Sequence, residues 1–238
     1  MRIRRIAVAA SGAVLAALTL GACGDDEEKD NTKTEASKLA DEAVAAMNKL
    51  EFVNNNGTST DEDGKTATIK ACAVMKTKAV KGTQEADGEK AEVISIEGFQ
   101  YVKASAKYWA EVSGRPSRES LYRQVIGDKW FKMADDGDDD LEFFGGATGG
   151  VTKGEVTDFH GKQAVPLSMT KDGAKKTYFV AAKGEPLIIG QIEEGPEPKE
   201  RTETELSKAD KCDVAAPPAD QTITEDEVND KAAELQGA

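Results

Sequence analysis

Cys23 is the residue whose surroundings predict chemistry most directly, because it follows Leu20, Gly21 and Ala22 at the end of an apolar segment. This order forms a lipobox, in which the cysteine thiol takes a diacylglyceryl group and a peptidase then cuts the chain before the cysteine. The two small residues let the peptidase approach the backbone closely. The sequence therefore predicts lipidation of Cys23, and the alternative is an ordinary secretory signal with an incidental cysteine.

Residues 1–22 have the features of an export signal. Three arginines lie among the first five residues, and residues 6–20 are apolar or small. This run is shorter than the roughly 20 residues that a membrane-spanning helix needs. We therefore expect a lipoprotein signal peptide over 1–22, an acidic flexible tether over 23–31, one folded domain over 32–223 and a polar C-terminal tail over 224–238 that can form a short helix.

The net charge restricts the partners of the protein. The 238 residues carry a formal net charge of −13, and removal of residues 1–22, with three arginines and no acidic residue, makes it −16. A protein with this charge repels nucleic acids and anionic lipid headgroups. We expect no nucleic-acid partner, and we expect attachment to the extracytoplasmic face of the cell membrane through the diacylglyceryl group alone.

Cys72 and Cys212 remain after Cys23. An exported protein meets an oxidising environment, where an even pair of cysteines usually forms a disulfide bond. We therefore predict a disulfide between Cys72 and Cys212, and two buried thiols are the alternative. A metal site would need more ligands than these two cysteines and His160, the single histidine, provide.

Three further stretches resemble chemical motifs but lack a required part. The acidic stretch DDGDDD at 135–140 lacks the glycine and glutamate positions of a calcium-binding loop. GGATGG at 145–150 is followed by Val151, where a phosphate-binding loop has lysine. His160 precedes Gly161 between two strand-like runs and is interpreted as a turn residue. We therefore predict no catalytic, cofactor-binding or metal-binding residue, no cofactor and no enzymatic activity.

Turn residues and hydrophobic periodicity predict which helices and strands position the candidate residues described above. A capping box from Thr32 to Glu35 predicts the start of a helix. The apolar residues that follow at spacings of three and four are Ala36, Ala40, Ala43, Met47 and Leu50. Turn pairs such as Asp87-Gly88 separate strand-like runs, which predicts an antiparallel meander in two groups, with a helix that starts at Pro116 between them. This pattern predicts an α+β fold.

The order of the elements resembles the LprG/LppX type of actinobacterial lipoproteins, whose fold is shared with the lipoprotein carrier LolA. The matching features are the lipobox, the helix ASKLADEAVAAMNKL, the segment 96–112, the hairpin 159–169 leading into 177–192, and VAAPPADQ at 214–221. The resemblance implies a curved antiparallel sheet, a half-barrel covered by helices, around an apolar cavity. It also implies that the protein binds or carries an acylated ligand in the cell envelope. The alternative function is an anchored interaction module with a filled core and no ligand.

The segment 186–192 indicates where the expected cavity lies. Large apolar residues occupy both of its alternating faces, so both faces should be covered. Alternation places its residues on a common surface with those of the preceding strand. We predict that Trp109 lies near the mouth of the cavity. The residues predicted to line the concave face are Val165, Leu167, Met169, Leu187 and Ile189.

Overall fold

The computed structural model describes residues 28–135, 143–146, 148–171 and 173–237. Cys23 lies outside the described residues, together with the predicted signal peptide, most of the predicted tether and most of the acidic stretch DDGDDD. Within the described ranges, no helix is both long enough and apolar enough to cross a membrane.

Short helices and many strands make up the described chain. The helices are α1 Ala36–Met47, α2 Ala106–Val112, α3 Glu119–Val125 and α4 Glu225–Gly237. Single 3-10 turns cover Asn31–Lys33, Pro116–Arg118, Phe143–Gly146 and Ala219–Gln221. The strands are β1 Phe52–Thr60, β2 Thr66–Val74, β3 Ala79–Ala86, β4 Glu89–Ile96, β5 Phe99–Ala104, β6 Trp130–Ala134, β7 Thr152–Lys153, β8 Thr157–Phe159, β9 Lys162–Lys171, β10 Ala174–Ala181, β11 Ile188–Glu194, β12 Arg201–Lys208 and β13 Thr222–Thr224.

These strands belong to one open, curved sheet. Their order is β13-β6-β5-β4-β3-β2-β1-β12-β11-β10-β9-β7, and β8 also pairs with β9. Two antiparallel meanders, β1 to β6 and β9 to β12, become one sheet because β12 pairs with β1. β13 lies parallel to β6 at one edge. The predicted α+β class, with a half-barrel sheet and covering helices, is confirmed.

One face of the sheet carries the four helices. Cross-strand pairing connects Leu206, Asn55, Ala71, Gly82 and Val93 into one row, and directly paired residues point to the same face. Leu206 packs in a cluster with α1, and Val93 packs in a second cluster with α2, α3 and α4. Both groups of helices therefore cover this face, which we call the inner face. The opposite face is the outer face.

Several hairpins form at turns whose residues accept a positive φ. Asp87 and Gly88 have φ values of 51° and 77°, and His160 and Gly161 have values of 50° and 79°. A two-residue type I′ turn requires positive φ at both central positions. The interpretation of His160 as a turn residue is therefore confirmed.

The last residues of the predicted tether dock onto the domain. Asn31 is fully buried, and its Nδ2 donates to the carbonyl oxygens of Ala181 at 2.8 Å and Gly184 at 3.2 Å. Asp30 forms a β-bridge with Lys183 beside it. The predicted end of the flexible tether at residue 31 is wrong, because this amide satisfies carbonyl groups of the turn between β10 and β11.

The start of α1 also differs from the prediction. Glu35 is the N-cap residue but makes no side-chain capping hydrogen bond. The carbonyl groups of Thr32 and Thr34 accept instead from Lys153 Nζ at 2.5 and 2.7 Å. The hydroxyl of Thr32 donates to Asp30, and this bond is the main reason that the pKa of Asp30 falls to about 2. The predicted capping box is therefore wrong, since Thr32 belongs to the preceding 3-10 turn.

Residues 209–221 cross the outer face as a strap between β12 and β13. Cys72 lies on the outer face because it alternates with Ala71, and it forms a disulfide bond with Cys212 at an S–S distance of 2.04 Å. Seven inter-strand steps of about 4.8 Å separate β12 from β13 in the sheet, so the strap must be largely extended to cover roughly 34 Å. The structure thus contains the favoured cysteine pairing, and the bond fastens the strap to β2.

α4 is part of the domain rather than a separate tail. Val228 and Ala232 on α4 pack against the cluster that contains Ile223. At the start of the helix, the Glu227 carboxylate accepts from the backbone N–H of Thr224 at 2.8 Å, and this hydrogen bond lowers the pKa of Glu227. The predicted end of the domain at residue 223 is therefore wrong.

We expect Gly190→Ala to lower the free energy of unfolding by about 1–3 kcal/mol, the usual cost of overpacking. A Cβ at Gly190 would lie 2.2 Å from the Phe159 ring and 2.6 Å from the carbonyl oxygen of Thr204. The Phe159 ring cannot move freely, because it stacks on Phe179 at a centroid distance of 4.1 Å. Urea unfolding measures the change. Gly149→Ala is the matched control, since a Cβ there has no described atom within 4 Å, and equal losses in both variants would contradict the expectation.

Candidate functional site

The first hydrophobic cluster joins α1 to the inner face of β9, β10, β11 and β12. Leu39 and Ala43 of α1 are fully buried in it. Phe144 adds a ring 4.2 Å from that of Tyr178, whose pKa is raised by burial. Four of the predicted lining residues come together here, namely Val165, Leu167, Met169 and Leu187. Side chains of α1 and Phe144 cover them, so this part of the inner face is packed core.

Ile189 lies on the outer face, and its predicted place in the lining is wrong. Val180 pairs with Ile188 whereas Phe179 pairs with Gly190, so Ile189 is the extra residue of a β-bulge. The bulge breaks the alternation of side chains. Ile188 packs in the first cluster, and Ile189 packs against a small cluster on the outer face around Phe179.

Trp109 lies in the second cluster rather than near the residues of the first. Its side chain is 4% exposed, and its ring makes edge contacts with Tyr108 and Phe131 at centroid distances of 5.5 and 5.4 Å. Burial also raises the pKa of Tyr108. The prediction that Trp109 marks the mouth of a cavity lined by Leu167 is therefore wrong, because α2 and β6 enclose this ring in a separate core.

A strip of the inner face lies between the two clusters, on β12, β1, β2 and β3. Cross-strand pairs connect Thr204, Gly57, Ile69 and Gln84 into one row. Two of these residues, Ile69 and Thr204, are fully buried. The residues of this central strip are Asn55, Gly57, Ala67, Ile69, Ala71, Gly82, Gln84 and Thr204. Among the described residues, neither cluster includes a member of the strip.

Short side chains distinguish the central strip from the surfaces beside it. Ala67, Ala71 and Gly82 project little from the sheet, whereas the first cluster presents Leu167 and the second presents Phe131. The strip therefore consists mainly of short side chains, and Ile69 is its one large apolar residue.

Unpaired polar atoms accompany these small residues. Asn55 Oδ1, Gln84 Oε1 and Thr204 Oγ1 are buried and have no hydrogen-bond partner in the described structure. Such atoms are uncommon, because nearly all buried polar groups in proteins have a partner. Away from the strip, the buried atoms that also lack a partner are Asn31 Oδ1, Tyr108 OH and Trp109 Nε1. The strip thus combines mainly short apolar side chains with acceptors that could receive a hydrogen bond.

Comparison with known proteins gives structural likenesses at low identity. No known protein-family model matches the chain, and no curated protein sequence is significantly similar to it. An uncharacterised conserved protein from Thermus thermophilus is 9% identical over 80% of this chain and 99% of that one, with a TM-score of 0.49. The MucA/MucB complex of Pseudomonas aeruginosa is 16% identical over 79% of this chain and 60% of that one, with a TM-score of 0.36.

A second structure of MucB, in complex with periplasmic MucA, gives a similar result. The identity is 14% over 77% of this chain and 62% of that one, and the TM-score is 0.36. All three TM-scores lie below 0.5, so these likenesses support no inference about function.

The other candidate residues lie on the outer surface. His160 Nε2 is 2.9 Å from Glu203 Oε1, and the His160 side chain is about half exposed. Arg201 donates to Glu203 at 2.8 Å, and this bond, aided by His160, lowers the pKa of the Glu203 carboxyl. Residues 136–140 of the acidic stretch lie outside the described residues. In the described ranges, no group of three or more His, Cys, Asp or Glu side chains is arranged to hold a metal ion.

The lining residues predicted from the sequence lie on α2, on β9 and at the start of β11, and none of them belongs to the central strip. The strip contains Asn55 and Gly57 of β1, whose sequence FVNNNGTST is polar and glycine-containing, and residues of this kind are depleted in strands. A signal was present in β2, where TATIKACAV alternates small apolar residues with polar ones. Three of its inward residues, Ala67, Ala71 and Ala73, are small, and Ile69 is the exception.

Proposed function

We propose that this chain is an exported lipoprotein of the LprG/LppX type that binds an apolar, acylated ligand on the central strip. In this proposal Cys23 carries the diacylglyceryl group and holds the protein at the extracytoplasmic face of the cell membrane. The observation that carries the ligand proposal is the strip of mainly short side chains between the two clusters, in which three buried oxygens lack a partner in the described structure. An acyl chain is long, narrow and apolar, which suits a surface of alanine, glycine and Ile69 bounded by larger apolar side chains.

Binding rather than catalysis is proposed. His160, the only histidine, is a turn residue on the outer face and is paired with Glu203. A general base must reach the proton that it abstracts from a bound substrate. A ligand on the central strip would lie on the opposite face of the sheet from His160, which supports a protein that holds its ligand without changing it.

A second function is favoured by the packing of the first cluster. Leu39, Ala40, Val165 and Leu167 are fully buried there and leave no part of their side chains exposed to solvent. Ile69 and Thr204 of the strip are fully buried as well. If the whole strip is packed in this way, the protein is an anchored interaction module of the cell envelope that acts through its surface. The two functions differ in whether the strip accepts a ligand.

Ala71→Phe tests the ligand proposal. We expect the protein to bind a fluorescent fatty acid, and we expect Ala71→Phe to weaken this binding about tenfold or more, equivalent to at least about 1.4 kcal/mol. The added ring would occupy the strip between Asn55 and Gly82, where the ligand is proposed to lie. Fluorescence titration measures the affinity, and thermal melting of the same samples measures stability.

Leu167→Phe is the matched control, because Leu167 lies in the packed first cluster. There we expect a loss of about 1–3 kcal/mol in the free energy of unfolding, with a smaller effect on affinity. A parent protein that binds no fatty acid, together with equal losses of stability in both variants, would reject the ligand proposal. That result would support the anchored interaction module.

A further inference from the structure

Two threonines of β12 differ in their hydrogen bonding although both point to the inner face. The hydroxyl of Thr202 lies 3.0 Å from that of Ser59, so its hydrogen bond is made within the protein. Thr204, two residues further along the strand, is fully buried, and its Oγ1 has no partner in the described structure. Both side chains point to the same face, so their direction does not explain why only Thr204 Oγ1 lacks a hydrogen-bond partner.

Two more oxygens on the same face share this property. Asn55 on β1 and Gln84 on β3 each bury a side-chain oxygen that lacks a partner in the described ranges. Asn55 is diagonal to Thr204 across one strand pairing, which corresponds to roughly 7–8 Å between their Cα atoms. Gln84 is three strands from Thr204 in the same row, or about 14 Å away. The three oxygens thus span the width of the strip.

A plain hydrocarbon chain would leave these oxygens without partners. A buried acceptor that exchanges water for an apolar neighbour loses its hydrogen bond, so hydrocarbon alone is a poor occupant of this surface. A hydroxyl or amide N–H group on the ligand would supply the missing donor. The same argument explains why three polar side chains stand among alanine and glycine, where apolar residues of similar size would suffice for packing.

We infer that the central strip recognises an acylated ligand through hydrogen-bond donors on that ligand, which bind Asn55 Oδ1, Gln84 Oε1 and Thr204 Oγ1. This inference rests on the proposed ligand binding and adds the chemical class of the ligand. Its acyl chain contacts the small apolar residues, and its hydroxyl or amide N–H groups lie within the strip. The three polar side chains therefore determine specificity rather than overall affinity for lipid.

The experiment compares two probes and two variants of the protein purified after expression of the full chain. Monopalmitoylglycerol carries two hydroxyl donors, and methyl palmitate has the same acyl chain without a donor. Displacement of a bound fluorescent fatty acid measures the affinity of each probe, and we expect the glycerol ester to bind more tightly. Thr204→Val should weaken binding of monopalmitoylglycerol by roughly 2- to 10-fold, the value of one hydrogen bond, and leave methyl palmitate unchanged.

Thr202→Val is the control on the same face of the same strand. It removes the hydroxyl that pairs with Ser59, so it should lower the melting temperature by about 2–4 °C without changing the preference between the probes. Thr204→Val should not lower the melting temperature, because the ligand-free protein has no hydrogen bond to lose there.

Two results would overturn the inference. One is equal binding of both probes with no change in Thr204→Val. The other is a lower melting temperature of Thr204→Val, as large as that of Thr202→Val, because a bound water or protein group would then satisfy Oγ1. Failure of the ligand proposal itself is distinguishable, since neither probe would then displace the fluorescent fatty acid.

Discussion

Cys23→Ala is expected to abolish incorporation of a fatty-acid probe into the protein and to block cleavage before residue 23. The lipid-transfer step needs the cysteine thiol, and alanine provides no atom to which a diacylglyceryl group can be attached. The variant should keep its fold, because the docked part of the chain begins near Asp30 and Asn31. Metabolic labelling with an alkyne fatty acid, followed by mass spectrometry of the N-terminus, measures both effects.

The matched control for Cys23→Ala keeps Cys23 and replaces the other two cysteines. A Cys72→Ala, Cys212→Ala protein should still be labelled and cleaved, so a loss of labelling in Cys23→Ala cannot come from the general removal of a thiol. Labelling that persists in Cys23→Ala would show that lipid is attached elsewhere. An unlabelled parent protein that is nevertheless cleaved would favour the ordinary secretory signal.

The same double variant is expected to lose about 2–5 kcal/mol of unfolding free energy, the usual range for a native disulfide. The bond joins residues 140 apart in the sequence, so it restricts a long loop of the unfolded chain. In the folded protein it holds the strap 209–221 against β2. Urea unfolding of the parent with and without a reductant, beside the double variant, measures this contribution.

Peptide mapping under non-reducing conditions provides the control for the disulfide prediction. It should find one linked pair, Cys72 with Cys212, in protein isolated from the cell envelope. Reductant should destabilise the parent and leave the double variant unchanged. Two freely alkylated thiols in the native protein, or equal stability of parent and variant, would contradict the prediction.

Local sequence signals predicted most strands of the two meanders. Strand β1 was not predicted, because it depends on pairing with its neighbours in the sheet. Asp-Gly and His-Gly turns have strong backbone preferences, so hairpins such as that at Asp87-Gly88 could be predicted. β1 could not, because a strand with Asn54, Asn55 and Asn56 has weak propensity on its own. It becomes a central strand because β2 and β12 pair with it on both sides.

The site was harder to predict than the fold for a geometric reason. Assigning side chains to a face assumes strict alternation, and one additional residue in a strand reverses the assignment. That reversal moved Ile189 to the outer face while Leu187 stayed on the inner face. Burial under α1 depends on helix placement, so Val165 and Leu167 could be assigned to the correct face but not recognised as packed core.

The docking of Asn31 limits how far the protein can travel from its anchor. Seven residue steps separate Cys23 from Asp30, and an extended chain covers at most about 3.5 Å per step, or roughly 25 Å. With Cys23 held in the membrane, as proposed, the turn between β10 and β11 stays within that distance of the lipid surface. A protein that stays anchored in this way could not carry a ligand across the envelope. It would lift a lipid from the leaflet beneath it and present that lipid to a second protein that comes to the same membrane.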